Sequence, residues 1–415
     1  MEEREDLILK PVPKEDRVGW RAPLFNVLGT NIAISALMVG GTLISGLTFM
    51  DLIWVSIVGN AILMIIMIIQ GNIGAREGVN TYVIAKGPFG EIGGTWVISL
   101  ILGITSFGWF GIQAGVAGLS VRQIFPNVNL TVAVIVIGIL MVVVASLGFN
   151  VMAKFNYIAL PPLIILIVWA LTRSLAEGGG MEPVLNYVPE NAITPIQGID
   201  IVVGLIIVGA VISPDYLRYT RGIKDVVIVG FVAVALVTFF QQVASGIMSV
   251  NAPTHDITEV LKSLGFSWVA FVVLILAAWS TNLANAYSGG LALKNLFPNI
   301  KRLYLTLIAG GIGIILAAFN IIDVFTGFLS FLSMTVSAIA GVIWVEYYFI
   351  QKKKLVIRKG VNWLAIIAWL GGVAVAYFTT QLGWGIPPIN SIVVAGLLYF
   401  ILEKSFDTEA KNNTA

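Results

Sequence analysis

The sequence predicts an all-α integral membrane protein with twelve transmembrane helices. Of the 415 residues, 58% are hydrophobic and only 11% are charged, whereas about a quarter of the residues in soluble domains are charged. Apolar stretches close to the roughly 20 residues needed to cross a bilayer recur along the whole chain. Cysteine is absent, so disulfides and thiolate metal sites are excluded. The composition therefore excludes an ordinary soluble protein.

The predicted helices are the apolar stretches that polar residues, glycine or proline separate. In chain order they span 24–47, 52–72, 91–118, 130–149, 153–173, 198–216, 225–249, 266–292, 302–319, 322–349, 361–380 and 389–403. A charged tail at 1–23, which lacks the apolar core of a signal peptide, precedes them. A polar tail at 404–415 follows.

The distribution of basic residues predicts the orientation of the chain. With twelve helices, both termini lie on the same side of the membrane. All but three of the 24 Lys and Arg residues fall on that side, the exceptions being Arg122, Arg173 and Lys262. Eleven or thirteen helices would remove this asymmetry. Because cytoplasmic loops are enriched in Lys and Arg, we predict a multi-pass protein of the plasma membrane with both tails in the cytoplasm.

The first and sixth helices share an unusual composition at mid-depth. Helix 1 contains Leu28-Gly29-Thr30-Asn31, and helix 6 contains Val203-Gly204 with Gly209 further on. Glycine and short polar residues at this depth are typical of discontinuous transmembrane helices. The alternative is that glycine only permits close helix packing. We predict unwinding in both helices because they occupy matching positions.

Those matching positions also predict an internal repeat. The first and sixth of ten helices correspond if residues 24–173 and 198–349 form two inverted repeats of five helices each. Residues 361–403 then supply two additional helices.

Uncharged polar side chains interrupt the eighth helix. Ser280, Thr281, Asn282 and Asn285 lie within an otherwise apolar stretch, where polar groups are costly without partners. One interpretation is a bound ion or polar solute. The other is that both hydroxyls donate to carbonyls one turn earlier. From this segment alone both interpretations stay open.

Ionisable residues are missing from the middle of nearly every helix. The acidic residues of the helices lie near predicted ends, and the single histidine, His255, falls in a loop on the side opposite the termini. A proton relay and a charged substrate are disfavoured, because both need intramembrane charge. Oxygen ligands without thiol or imidazole favour an alkali ion. The remaining groups suit a neutral, planar solute and a hard cation.

Three side chains on helix 3 could hold such a solute. Ser106, Trp109 and Gln113 share one helical face by their spacing of three and four. An indole can stack on a ring, and an amide one turn away can hydrogen-bond its edge. The alternative is that Trp109 packs within the bundle and Gln113 hydrogen-bonds a neighbouring helix.

At several short motifs the chain resembles the nucleobase–cation symporter-1 family, and most closely its cytosine permease branch. The matching segments are Leu28-Gly29, Gly40-Gly41-Thr42-Leu43, Gly71 through Ala75, Gly108-Trp109-Phe110-Gly111, Val202-Val203-Gly204, Asp215 through Arg221, and Trp279-Ser280-Thr281-Asn282. The resemblance implies a leucine-transporter-type fold of five plus five inverted repeats. It also implies alternating access around a site at mid-membrane.

The resemblance further implies the residues of two binding sites. A sodium ion, the implied coupling ion, would be bound by the carbonyls of Gly29, Ile32 and Ala277 and the hydroxyls of Ser280 and Thr281. The implied substrate contacts are Trp109, Gln113, Ser106, Ala33, Gly204, Leu205, Ile206 and Asn285. Family members usually carry an aromatic residue on helix 6 where this chain has Ile206, and Asn285 is one residue out of register with the amide it would replace.

Together these observations predict a sodium-driven symporter for a neutral nucleobase, either cytosine-like or purine. Carriers for hydroxymethylpyrimidine, hydantoin or allantoin, and a proton-coupled carrier, are the alternatives. A channel, a membrane sensor and an enzyme are disfavoured, because the spans hold no catalytic constellation and the chain has no sizeable soluble domain. The expected partners are the lipid bilayer, the heterocyclic substrate and sodium, without nucleic acid. A monomer is the working expectation, and the oligomeric state is left open.

Overall fold

A computed structural model of the chain describes residues 11–146, 149–252, 254 and 256–412. His255 lies outside the described residues. Within them the chain is helical. Its α-helices, in chain order, are α1 (Arg21–Asn31), α2 (Ile34–Gly46), α3 (Phe49–Glu77), α4 (Thr81–Phe89), α5 (Glu91–Ile124), α6 (Leu130–Ser146), α7 (Phe149–Glu177), α8 (Glu182–Leu185), α9 (Pro195–Val211), α10 (Pro214–Leu217), α11 (Ile223–Gly230), α12 (Phe239–Met248), α13 (Ile257–Ser263), α14 (Trp268–Leu296), α15 (Arg302–Ala318), α16 (Phe325–Trp344), α17 (Trp363–Gln381) and α18 (Pro387–Asn412).

Helices cover the positions of all twelve predicted spans. A π-helical segment, Phe231–Thr238, joins α11 to α12, and another, Val345–Ile350, extends α16. Among the described residues, eight helices are long and apolar enough to cross a membrane, and the bent pair α1 and α2 makes a ninth. The protein is therefore a multi-pass helical membrane protein. Twelve crossings and the five-plus-five repeat remain predictions.

The unwinding predicted in helix 1 is confirmed. α1 and α2 meet at an angle of 56° across a break at Ile32 and Ala33. The amide of Ile32 closes α1 by donating to the carbonyl of Leu28 at 2.9 Å. Ala33 is extended, with φ −141° and ψ 156°. Backbone carbonyls at the end of α1 consequently lose their partners in a continuing helix.

The unwinding predicted at Val203-Gly204 in helix 6 is wrong. α9 runs unbroken through both residues, and the interruption falls at Ile212 and Ser213, before α10. A Cβ atom at Gly204 would lie 2.3 Å from the carbonyl oxygen of Leu329 on α16. This glycine therefore permits close packing of two helices, and it does not interrupt α9.

Helix packing places α16 between the elements of the candidate substrate site. α14 lies along α5, with α15 and α6 packed beside them, while α9 lies between α3 and α16. Phe328 on α16 lies over Gly108 on α5, and the next residue, Leu329, lies against Gly204 on α9. α5, α9 with α10, α14 and α16 are the predicted helices 3, 6, 8 and 10, respectively. Helix 10 therefore contacts both helix 3 and helix 6.

Residues 11–20 and the loop before α17 each bind residues at the ends of long helices. Residues 11–20 pair with the end of helix 6, where the amide of Val18 donates to the carbonyl of Tyr219 at 2.7 Å. Nearby, Nε of Arg221 donates to the carbonyl of Arg17 at 3.5 Å. Arg358, in the loop before α17, pairs with Glu346 and Glu403 at 2.8 and 2.9 Å. This arginine links α18 to the π-helical end of helix 10.

Burial of the Arg358 side chain opposes its charge, but the neighbouring Tyr399, Glu346 and Glu403 outweigh burial and raise the pKa of Arg358. The guanidinium therefore stays charged across the physiological pH range.

Candidate substrate and cation site

Trp109 lies in the middle of α5 and contacts two aromatic side chains of α16. Its ring centroid lies 5.5 Å from that of Phe328 and 6.3 Å from that of Phe325, and both pairs are edge-to-face. The contact with Phe328 depends on Gly108, where a Cβ atom would lie 2.5 Å from the Phe328 ring. The indole is thus held by helix 10, while position 206 on helix 6 carries an isoleucine.

Gln113 follows Trp109 by one turn of α5, and its amide group is fully buried. Neither Nε2 nor Oε1 has a hydrogen-bond partner among the described residues. Leaving a buried donor or acceptor unpaired costs roughly 1–3 kcal/mol. An amide kept at this cost next to an aromatic ring is what a site for a hydrogen-bonding heterocycle requires.

Ser106 completes the polar face of α5 and lies against α14. The residue is 7% exposed, and its Cβ atom lies 3.2 Å from the position that a Cβ at Gly289 would occupy. α5 and α14 therefore approach closely where the predicted substrate residues lie on both helices.

Asn285 is partly buried on α14, and its amide is tied to a neighbour on the same helix. Its Nδ2 donates to Oδ1 of Asn282 at 3.1 Å. Asn282 is fully buried and donates in turn to the carbonyl of Phe110 on α5 at 3.0 Å. Asn285 is thereby oriented through Asn282, whose side chain also hydrogen-bonds α5.

The predicted cation ligands of helix 1 lie at its break. No backbone hydrogen bond reaches the carbonyls of Gly29 or Ile32 among the described non-helical pairs, as expected for the last carbonyls of a helix. Beside Gly29 the space is open, since a Cβ atom there would meet nothing within 4 Å. Both carbonyls are suited to binding a hard cation.

The predicted ligands of helix 8 lie together on α14. Ala277 and Ser280 are buried, at 3% and 4% exposure. The hydroxyl of Thr281 donates to the carbonyl of Ala277 at 3.2 Å, as the alternative interpretation of this segment expects. That bond leaves the lone pairs of the hydroxyl oxygen for a cation, and it places two predicted ligands next to each other.

The remaining predicted substrate residues lie at the helix 1 break and on α9. Ala33 begins α2 and is 3% exposed. Leu205 and Ile206 are each 8% exposed and follow Gly204 in the unbroken part of α9. Because α9 is continuous here, their backbone groups are engaged in the helix, and only side chains can contact a solute.

A cavity of 1070 Å³ opens beside this region, and we call it the vestibule. It is lined by the ends of α2, α9 and α16 and by the loops around 187–194 and 379–387, on the side predicted to be external. Asp200 and Ser330 lie on its wall, while Trp109 and Gln113 do not line it. Burial, together with the negative charge of Glu190, raises the pKa of Tyr187 at its rim, so this phenol is neutral at physiological pH.

Sequence reasoning missed Phe325, Phe328 and the contacts of Asp200. The aromatic pair at the start of helix 10 has a spacing of three residues, which indicates one helical face, but no sequence signal connects it with Trp109. Asp200 was expected near a helix end, and it lies in the second turn of α9. The structure additionally buries it to 3% exposure.

The broken first helix, the apolar helices and the buried, unpaired amide of Gln113 make this a helical membrane protein with a polar site inside the bundle. Comparisons with known proteins show that it is a transporter. Residues 11–401 match the family described as permeases for cytosine/purines, uracil, thiamine and allantoin. The chain belongs to this family, the nucleobase–cation symporter-1 family.

A sequence relative and a solved structure each match this chain over nearly its whole length. The cytosine permease of Escherichia coli strain K12 is 30% identical over 397 residues, which cover 94% of this chain and 93% of the permease. The inward-facing form of Mhp1 matches with a TM-score of 0.85 and 20% identity, over 97% of this chain and 94% of Mhp1. The form with bromovinylhydantoin bound, described as a nucleobase-cation-symport-1 family transporter, gives 0.80, 20% identity, and 96% and 94% coverage.

A sodium-coupled sialic acid symporter has the same fold at lower similarity. Its TM-score is 0.65 and its identity is 12%, over 93% of this chain and 90% of that one.

Proposed function

We propose that the protein imports a neutral nucleobase, cytosine-like or purine, by sodium symport with alternating access. The observation that carries this proposal is the buried, unpaired amide of Gln113, one turn from the ring of Trp109. A planar solute stacked on the indole would present ring nitrogens and carbonyls to that amide. Its hydrogen bonds would offset the cost of the unpaired group. Among the described residues, no charged side chain contacts Trp109 or Gln113, so a charged solute would lack an opposite charge there.

Sodium coupling is supported by the oxygen atoms at the helix 1 break and on α14. Gly29 and Ile32 offer carbonyls, Ala277 offers a third, and Ser280 and Thr281 offer hydroxyls, a set that suits a hard monovalent cation. A cation held between these segments would fix the angle between α1 and α2. It would thereby stabilise the conformation that accepts the solute. The symport named in the Mhp1 family and the sodium coupling of the sialic acid symporter agree with this assignment.

In the proposed cycle, sodium and solute enter from the predicted external side and leave into the cytoplasm of the cell. The two repeats would move relative to each other around the site at mid-membrane. Cytoplasmic tails and a plasma-membrane location belong to this proposal.

A carrier for a different small ring, such as a hydantoin, a hydroxymethylpyrimidine or allantoin, is the second candidate. It is favoured by Ile206, which leaves the indole without an aromatic partner from helix 6, and by the hydantoin bound to Mhp1. A thermal-shift panel with cytosine, uracil, adenine, hydantoin, allantoin and hydroxymethylpyrimidine, each with and without sodium, separates the two candidates. The true substrate raises Tm most, and more in sodium than in choline.

The ligand that raises Tm most is then labelled, and its uptake into proteoliposomes tests sodium coupling. We expect accumulation driven by an inward sodium gradient, with little uptake when choline replaces sodium and in matched liposomes that carry Thr281→Val. Equal uptake in sodium and in choline would refute sodium symport, and a proton gradient imposed in choline then tests the proton-coupled alternative.

A further inference from the structure

Asp200 is a buried carboxylate whose hydrogen-bond partners come from another helix. It lies on α9 and is 3% exposed. Its Oδ2 accepts a hydrogen bond from the hydroxyl of Ser330 at 2.5 Å, and its Oδ1 accepts one from the hydroxyl of Ser333. Both serines belong to α16, so a single carboxylate joins helix 6 to helix 10.

The charge of this carboxylate is not balanced by a basic side chain. Among the described residues, no Lys, Arg or His forms an ion pair with Asp200. A buried carboxylate without a counter-charge is strongly unfavourable within a membrane protein, and in such a position it marks a functional site. Two hydroxyl donors reduce that cost but leave the net charge in place.

The oxygen atoms around Asp200 form a compact set. The hydroxyl of Ser333 also lies 3.2 Å from the carbonyl oxygen of Ser330. Two carboxylate oxygens, two hydroxyl oxygens and one carbonyl are thus linked by hydrogen bonds in one place. Oxygen atoms of these types are the ligands of hard cations.

The oxygen atoms around Asp200 can be reached from solution. Asp200 and Ser330 lie on the wall of the vestibule, whose 1070 Å³ admits water and hydrated ions. Among the residues that the structure describes, few other titratable groups lie at the same ends of the elements packed against α9. They are Tyr187 and Glu190 before α9, Asp51 at the start of α3, and Asp323 before α16. None of them is basic.

We propose that Asp200, Ser330 and Ser333 form a second cation position, separate from the helix 1 and helix 8 ligands, that a sodium ion or a proton occupies from the vestibule. The cation neutralises the carboxylate and holds α16 against α9. Phe328, which contacts Trp109, lies two residues before Ser330 on α16. Occupation from the predicted external side therefore fixes the helix that covers the candidate substrate site.

The test uses purified full-length protein without substrate, so that it is independent of whether the proposed substrate is correct. Tm is measured against sodium concentration at constant ionic strength with choline, and separately against pH, for the wild type and Asp200→Asn. The matched control is Asp323→Asn, which changes an exposed carboxylate close to the start of the same helix. Thr281→Val removes the other proposed cation position.

If sodium is the ligand, Asp200→Asn removes a sodium-dependent rise in Tm that Thr281→Val retains. If a proton is the ligand, Asp200→Asn removes a pH dependence of Tm and leaves the sodium titration unchanged. Asp323→Asn should behave as the wild type in both. An Asp200→Asn variant with unchanged sodium and pH dependence overturns the proposal.

Should Asp200→Asn fail to fold, Ser330→Ala and Ser333→Ala provide the same test with the carboxylate in place. Groups that hydrogen-bond a ligating carboxylate change metal affinity by roughly 10–100-fold. We therefore expect the half-saturating sodium concentration, or the midpoint of the pH dependence, to shift by about tenfold. Serine variants whose titrations match the wild type also overturn the proposal.

Discussion

The side-chain amide of Asn282 lies 3.0 Å from the carbonyl oxygen of Phe110, and this bond joins α14 to α5 between the candidate cation ligands and Trp109. Asn282 is fully buried, and its Oδ1 also accepts a hydrogen bond from the amide of Asn285. One side chain thus links the backbone beside Trp109 to the helix that carries Ser280 and Thr281.

Replacement of Asn282 should therefore destabilise the protein. Asn282→Ala removes the link and leaves the Asn285 amide without its acceptor, at a cost of roughly 1–3 kcal/mol. We expect a clear decrease in Tm in detergent. Asn127→Ala, in an exposed loop, should leave Tm unchanged. An equal Tm for both variants would show that the bond contributes nothing.

Gln113→Leu should have opposite effects on stability and on binding. Replacing an unpaired buried amide by an apolar side chain of similar size removes the desolvation cost. We expect Tm without ligand to stay the same or to rise, while the substrate-induced increase in Tm is lost. Gln123→Leu is the control, because Gln123 on the same helix donates to Glu259 at 3.1 Å. A fall in Tm for Gln113→Leu would indicate that its amide has a structural partner.

Gly108→Ala should displace Phe328 from the Trp109 ring. The new Cβ atom would lie 2.5 Å from the end of the Phe328 side chain, which can move, so we expect folded protein with weaker substrate binding. Loss of an aromatic contact predicts a roughly two- to tenfold higher KM for uptake. Gly115→Ala on the same helix meets no atom closer than 3.8 Å and should leave KM unchanged.

A second substitution tests this explanation of the Gly108→Ala variant. Phe328→Ala creates the space that the methyl group introduced at position 108 needs. If the clash is the cause, the double variant should transport no worse than Phe328→Ala alone. Additive losses in the double variant would exclude the clash.

Gly204→Ala should be far more damaging than Gly209→Ala. At position 204 the Cβ atom would lie 2.3 Å from a backbone oxygen, which cannot rotate away, whereas at 209 the nearest atom lies at 3.6 Å. We expect low yield or a large fall in Tm for the first variant and wild-type Tm for the second. Equal tolerance of alanine at both positions would contradict the close packing of α9 on α16.

The sodium ligands on α14 give a prediction about coupling alone. Thr281→Val removes a hydroxyl but retains shape, and the loss of one charge-binding oxygen should raise the half-saturating sodium concentration by roughly 10–100-fold. Thr281→Ser should be close to the wild type, as should Ser288→Ala, which alters an exposed hydroxyl of the same helix. The measurement is initial uptake as a function of sodium concentration, and an unchanged midpoint in Thr281→Val would remove Thr281 from the site.

The sequence predicted the helices well because long apolar stretches are required wherever a helix crosses lipid. The break in helix 1 was also predictable, since a Gly-Thr-Asn run has few uses at mid-depth. The unwinding predicted in helix 6 was wrong because a glycine is equally compatible with an unwound segment and with close helix packing. Only the position of Leu329 on a distant helix decides between them at Gly204.

In the candidate site, too, some features could be predicted from local sequence and others depend on packing between distant helices. Spacing along one helix placed Trp109 and Gln113 on a common face, but the lack of any partner for the Gln113 amide emerges only from the packed structure. Phe328 and Ser330 are more than 100 residues from the groups they contact. No local pattern connects residues across such distances, so the role of helix 10 could not be read from sequence.

The pairing of residues 11–20 with the end of helix 6 sets an order of assembly. Arg17 is synthesised early, but the side chain that binds its carbonyl, Arg221, follows 204 residues later. At ordinary rates of translation that interval is roughly 10–40 s. During that time several helices can already have entered the membrane. The first described segment of the chain can therefore take its place against the end of helix 6 only after the chain has been made as far as residue 221.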